Sequence, residues 1–183
     1  MDALREVTLL GTLPFRLISE RVKAEYGPLA LDAKAQQATP VEALRIEREM
    51  IQWHLGRGQF VQAVGLGREW LVTWILLHAG FVDPLDKATR REVEGVIATA
   101  NTERQDSGGS FGDHAFSTGM KLRKIPQAAT ALDLYNTLGN LRNDIMHAGK
   151  RHNPSKAAVL AEGVNKHCRR LYQLPLPTEG DAG

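Results

Sequence analysis

Arg142, Asn143 and His147 lie within one short run, Arg142-Asn143-Asp144-Ile145-Met146-His147. If the run is helical, Asn143 and His147 are four residues apart and share a face, and Arg142 is one helical step round from Asn143. The patch then offers a fixed cation, an amide and an imidazole. Such a set suits RNA cleavage without a metal. A ribose 2′-hydroxyl must lose a proton and attack the neighbouring phosphate, the leaving 5′-oxygen must gain a proton, and charge on the phosphoryl oxygens must be stabilised. Imidazole titrates near neutrality and suits the proton steps. A guanidinium grips two phosphoryl oxygens at once. The amide can hold the imidazole or the phosphate in place. His147 falls in the last turn, where the helix dipole favours a protonated imidazole. That suits a phosphate-binding or general-acid role, with attack relying partly on alignment of the 2′-hydroxyl.

Basic residues surround the run. From Lys121 onward the chain carries Lys121, Arg123, Lys124, Lys150, Arg151, Lys156, Lys166, Arg169 and Arg170, against Asp133, Asp144 and Glu162 before the tail. A formal charge of +2 for the whole chain announces no nucleic acid. The distribution points to a solvated basic face or a phosphate surface. Lys150 and Arg151, directly after the run, and Arg123 and Lys124, before its helix, are candidates for guiding an RNA strand.

Other patterns carry less. Gly108-Gly109-Ser110-Phe111-Gly112 matches G-x-S-x-G, which works only as a strained turn between a strand and a helix. Here it follows a helical pattern and reads as a connector. Gly65 and Gly67 lie inside a helical pattern with no strand before them, so a dinucleotide loop is not expected. His54 and His78 have aromatic neighbours and read as packing residues. His114, His152 and His167 lack partners at metal-ligand spacing, so no metal or other cofactor is expected. The one cysteine, Cys168, sits among apolar helical positions and reads as a core thiol, which leaves no internal disulfide.

The elements that would position the run are helices. Thr39-Pro40-Val41-Glu42 is a start signal, with Thr39 as cap and Pro40 at the first position. Its helix should run to about Leu55. Gly56-Arg57-Gly58 turns the chain, and a second helix from Gln59 to about Ala79 places Phe60, Val64, Gly67, Leu71, Trp74 and His78 on one stripe. Trp70 and Ile75 widen that stripe, which suggests a central helix packed antiparallel to the one before it. Asp83-Pro84-Leu85-Asp86 opens a third helix to near Glu103. A loop follows over 105–113. After Pro126, Leu134, Leu138, Leu141, Ile145 and Ala148 form a core stripe, with Gly149 placed as a left-handed cap. Asn153-Pro154 starts the last helix.

The 183 residues suffice for one domain with a real core. The expected division is an N-terminal helical segment at 1–38, a helical domain at 39–174 and a disordered tail at 175–183. No apolar run is read as reaching membrane-spanning length, and no signal-peptide layout opens the chain. The expected compartment is the cytoplasm, with no membrane partner.

Arg142-Asn143-x-x-x-His147 resembles the R-N-x-x-x-H signature of HEPN ribonucleases. The helix pair from Glu42 through Gln59-Phe60-Val61-Gln62-Ala63-Val64 to Arg68-Glu69-Trp70-Leu71 is similar to the leading helices of the HEPN domain in CRISPR-associated CARF–HEPN effectors. The likeness covers roughly Val41 to Tyr172. It implies an all-α, HEPN-like helical bundle, active as a homodimer with two Arg-Asn-His sets facing across the interface. It also implies metal-independent cleavage of single-stranded RNA in prokaryotic antiviral defence, leaving 2′,3′-cyclic phosphate or 3′-phosphate ends. Arg142, Asn143 and His147 are the carried-over catalytic residues, and Glu69 is a candidate to orient Arg142. The Rossmann-like sensor of those effectors has no counterpart here, so a separate sensor domain is one implied partner. Two other implied readings are a HEPN module that binds RNA or a protein without cutting, and a HEPN toxin held by an antitoxin.

Overall fold

The computed structural model describes residues 13–27, 39–147 and 156–178. Among them the protein is an all-α helical bundle. The helices are α1 (Leu13–Tyr26), α2 (Pro40–Gly56), α3 (Phe60–His78), α4 (Lys87–Asp106), α5 (Ala128–Met146) and α6 (Ala157–Tyr172), with a 3₁₀ turn at Leu122–Lys124. No strand is present among the described residues beyond one isolated antiparallel bridge, Ala115 to Lys121.

The Thr39 cap forms as read, whereas the next start signal falls at Asp86 and leaves Asp83-Pro84 ahead of the helix. Thr39 Oγ1 accepts from the Glu42 amide at 3.3 Å and Pro40 occupies the first turn of α2. Asp86 caps α4, taking the Thr89 amide and the Thr89 hydroxyl, each at 2.7 Å. Each carboxylate or hydroxyl satisfies a donor that the first turn otherwise leaves open. The turn at Arg57 to Gln59 is closed by the Gln59 amide donating to His54 O and by His54 Nδ1 against Gln59 Oε1 at 2.6 Å. So short a turn sets α2 and α3 antiparallel, and the Trp70 indole then reaches Leu44 O at 2.8 Å.

Helix α3 is the axis of the bundle. Val64, Gly67, Leu71, Trp74 and His78 of the expected stripe are buried, as are Trp70 and Ile75, while Phe60 is half-buried against the core. His78 packs edge-on to Trp74, ring centres 4.4 Å apart. The apolar stretch does reach spanning length, contrary to the sequence expectation: Phe60–His78, 19 residues, is long and apolar enough to cross a membrane. Its apolar surface is taken up instead by α2, α4, α5 and α6. Two glycines set the close approaches around α5. A Cβ on Gly67 would stand 3.2 Å from Leu138 Cδ1 of α5, and one on Gly163 of α6 would stand 3.1 Å from Leu141 Cδ2.

Leu13–Tyr26, within the segment expected to be helical, forms α1, and the Glu25 carboxylate on it takes Arg57 Nη2 at 3.2 Å. Helix α5 follows Pro126, as expected. Gln127 adopts a left-handed conformation, φ 56°, and the helix starts at Ala128. Pro175 to Thr178, assigned from sequence to a disordered tail, lie against the core: Pro175 O accepts the Trp74 indole at 2.6 Å, and Leu176 packs on the core. Gly149 and Asn153-Pro154, read as helix stop and start, lie outside the described residues, as do 28–38 and 179–183.

Candidate functional site

Leu134 and Leu138 of α5 are fully buried, and Leu141 and Ile145 are half-buried against the same core. This stripe fixes which way α5 faces, and so turns Arg142, Asn143 and His147 to solvent; all three are exposed. His147 is the C-cap residue, its backbone N–H bonded to Asn143 O at 2.9 Å. None of the three side chains makes a hydrogen bond or ion pair with another described residue. Among the described residues the fold holds them by no polar side-chain contact, a state that the exposed Arg91 and Arg169 share.

Position round the helix separates the set. At about 100° per residue, Asn143 and His147 lie within about 40° of each other, and Arg142 and His147 lie about 140° apart. Asn143 stands between them. Arg142 falls on the flank that carries Tyr135, Gly139 and Met146, whereas His147 falls on the opposite flank. A single phosphate cannot sit between Arg142 and His147 of the same helix without help from another surface.

The Arg142 flank holds a feature that sequence reasoning did not raise. The Arg68 guanidinium of α3 lies over the Tyr135 ring, 4.4 Å from its centre, and a Cβ on Gly139 would meet Arg68 Nε at 3.5 Å. Gly139 thus leaves room for a half-buried arginine one turn from Arg142. Burial raises the Tyr135 phenol above its ordinary value, which keeps it a neutral donor and acceptor beside that cation. The signal in the sequence was Tyr135-x-x-x-Gly139, a ring and a gap at helical spacing.

The supporting residues are arranged otherwise than expected. Glu69 does not orient Arg142. Its carboxylate takes Arg90 Nη2 of α4 at 2.5 Å, and Arg90 is held further by Thr73 Oγ1 at 3.1 Å and Pro84 O at 3.2 Å. Arg90, anchored at three points near the start of α4, captures the acid first. Arg123 and Lys124 stand in the 3₁₀ turn before α5, the end away from His147. Over the helix's 19 residues that is a separation of roughly 28 Å along the axis. Arg123 is also paired, Nε to Asp113 Oδ1 at 2.9 Å, and Lys121 joins the same carboxylate. In one chain these cations do not serve the phosphate that Arg142 would hold. Lys150 and Arg151, named as RNA guides, lie outside the described residues.

The remaining candidates resolve into structure. Ser110 sits in an exposed loop after α4, its carbonyl accepting from Ser107 Oγ at 2.7 Å. The nearby imidazole, His114, is engaged by Glu103, Nε2 to Oε2 at 2.9 Å, and the same carboxylate oxygen takes the Gly112 amide at 2.7 Å. These bonds hold Glu103 below the ordinary carboxylate range, the Gly112 amide acting most strongly. The loop is a latched connector. Cys168 is buried, and burial pushes its thiol up to about 12, so it is a core thiol. No family model matches the chain, and neither does any curated protein or any solved structure.

Proposed function

We propose that this protein is a metal-independent endoribonuclease of the HEPN type, cleaving single-stranded RNA as a homodimer in prokaryotic, CRISPR-type antiviral defence. The observation that carries the reading is the state of Arg142, Asn143 and His147. All are exposed on the last turn of α5 and their side chains have no partner among the described residues. A cation, an amide and an imidazole left open in this way suit a phosphodiester.

The reaction needs only protons and charge. The 2′-hydroxyl gives up its proton to solvent water as its oxygen bonds to phosphorus, and the P–O5′ bond breaks. The 5′-oxygen takes a proton, leaving a 2′,3′-cyclic phosphate and a 5′-hydroxyl. His147 supplies the proton or binds the phosphate, Arg142 stabilises the phosphoryl charge, and Asn143 orients the group. The angle of about 140° between Arg142 and His147 favours a site assembled from two copies, in which Arg142 of one protomer and His147 of the other converge across a two-fold axis.

The test is incubation of the protein with end-labelled single-stranded RNA in excess EDTA. Cleavage is expected, with cyclic phosphate ends. A substrate carrying one 2′-deoxy nucleotide should resist cutting at that position only. Sedimentation should show a dimer under the same conditions. Absence of cleavage, cleavage only after metal is added, or full activity in a monomer overturns the proposal. Binding without cutting would leave a non-catalytic RNA-binding module.

A further inference from the structure

A second line of side chains runs along α5. Ala129, Asp133, Asn136, Asn140, Asn143 and His147 recur at intervals of four and three, and so form one stripe on the solvent side of the helix. Asn140, Asn143 and His147 are exposed and Asn136 is half-buried. None of the three asparagine side chains has a hydrogen-bond partner among the described residues. Asparagine is a poor choice for an exposed helix position on propensity alone. Three in register on one stripe leave a row of amides free to meet solvent or a ligand.

The stripe has a charged edge. Helix α6 runs antiparallel beside it, because Arg170 Nη2 meets Asp133 Oδ2 at 3.1 Å while Gly163 stands against Leu141. Lys166, exposed, lies between those two levels on α6. At the head of the stripe Arg104 Nη1 donates to Ala129 O at 3.2 Å. Asp133 is neutralised by Arg170. His167 Nδ1 lies 3.4 Å from Arg170 Nη1, and burial, with Arg170 and Lys166, holds its imidazole below the ordinary value. Since Asp133 and Arg170 offset each other, the net positive charge of this edge comes from Lys166, Arg169 and Arg104. The only exposed acid on α6 is Glu162, one turn before Lys166.

We propose that the α5 stripe is the substrate track of the nuclease, on which a single RNA strand lies with its bases on the Asn136, Asn140 and Asn143 amides and its phosphates toward Lys166. Amides both donate and accept, as base edges and ribose hydroxyls require, and the lysine, unpaired among the described residues, matches a polyanion. From Asn136 to His147 the track is roughly 16 Å long, enough for several nucleotides running up to the scissile phosphate. The proposal rests on the reading of Arg142 and His147 as the cutting site. It makes Asn136 and Asn140 positioning residues, away from the reacting atoms.

The experiment separates the two claims. Binding is measured by fluorescence anisotropy of a labelled oligoribonucleotide long enough to cover α5, using full-length protein carrying His147→Ala so that no cleavage intervenes. Adding Asn136→Ala and Asn140→Ala should weaken binding about tenfold, the scale of two lost hydrogen bonds. Adding Lys166→Gln should lower the slope of log affinity against log salt by about one contact. In the cutting protein, the asparagine pair should raise KM for the oligonucleotide and leave kcat for a dinucleotide unchanged. The track is overturned if the parent binds no RNA, if the asparagine pair binds as the parent does, or if polyglutamate competes as well as RNA. Binding that depends on Asn136 and Asn140 in a protein that never cuts would keep the track and remove the nuclease reading. Cutting in which oligonucleotide and dinucleotide suffer equally would do the reverse.

Discussion

Gly65 and Gly67 both stand inside α3, two residues apart, and the fold gives them opposite roles. A Cβ on Gly65 meets nothing within 4 Å, whereas one on Gly67 meets Leu138 Cδ1 at 3.2 Å and Leu171 Cδ1 at 3.5 Å. Both leucines are fully buried and have little room to retreat. Gly65→Ala should stabilise the protein by about 0.5–1 kcal/mol, because it removes backbone freedom from the unfolded chain without a steric cost. Gly67→Leu brings a similar propensity gain but drives a four-carbon side chain into the contact between α3, α5 and α6. Overpacking of that kind costs about 1–3 kcal/mol, so at the middle of that range the net change should be a loss of about 1 kcal/mol. In a chain of this size each kcal/mol moves Tm by roughly 2–4 °C. Thermal unfolding followed by circular dichroism should therefore place the two variants on opposite sides of the parent. Gly67→Leu at or above the parent's Tm would refute the close approach that seats α5, and with it the way the motif is turned to solvent.

Three further outcomes follow from particular contacts. Glu103 titrates below the ordinary carboxylate range because the Gly112 amide, and then His114, favour its charged form. A depressed value contributes stability that is complete above the ordinary glutamate value and is lost as pH falls through the lower folded one; carboxyl-detected NMR should find that lower midpoint, and Glu103→Gln should remove the acid-dependent loosening of the loop after α4. Asp86→Ala deletes both bonds to Thr89 and should cost about 1 kcal/mol in urea unfolding, with no loss expected from Asp86→Ser. Cys168, with burial pushing its thiol up to about 12, should resist a thiol reagent at neutral pH until the protein unfolds, and modification at the rate of a free thiol would contradict its place under α6.

The helices were legible because their causes are local. Thr39-Pro40 and Asp83 to Asp86 carry their own capping chemistry, and the stripes of α3 and α5 repeat often enough to define a buried face. What the sequence hid were contacts made across the fold. Nothing near Glu69 in the chain announces Arg90, which reaches it from α4 only once the helices are packed. Pro175 to Leu176 read as a polar, proline-rich end, yet the Trp74 indole needs an acceptor and finds it there. The left-handed Gln127 reflects the closing of the 3₁₀ turn on α5, a geometry that its residue type does not favour. At the motif, closeness along the chain suggested closeness in space. The helix separates Arg142 from His147 and instead aligns His147 with Asn143, Asn140 and Asn136, a register plain in the spacing once the buried face is known.

The central claim is that Arg142 and His147 cut RNA without a metal. The direct measurement is the single-turnover cleavage rate of labelled single-stranded RNA in EDTA for the parent, Arg142→Ala and His147→Ala. Both side chains are exposed and make no hydrogen bond or ion pair with another described residue, so helical content and Tm should match the parent. Each rate should fall by about a hundredfold or more, the scale of a lost electrostatic or acid–base group. Two folded alanine variants that cleave at the parent's rate would contradict the account.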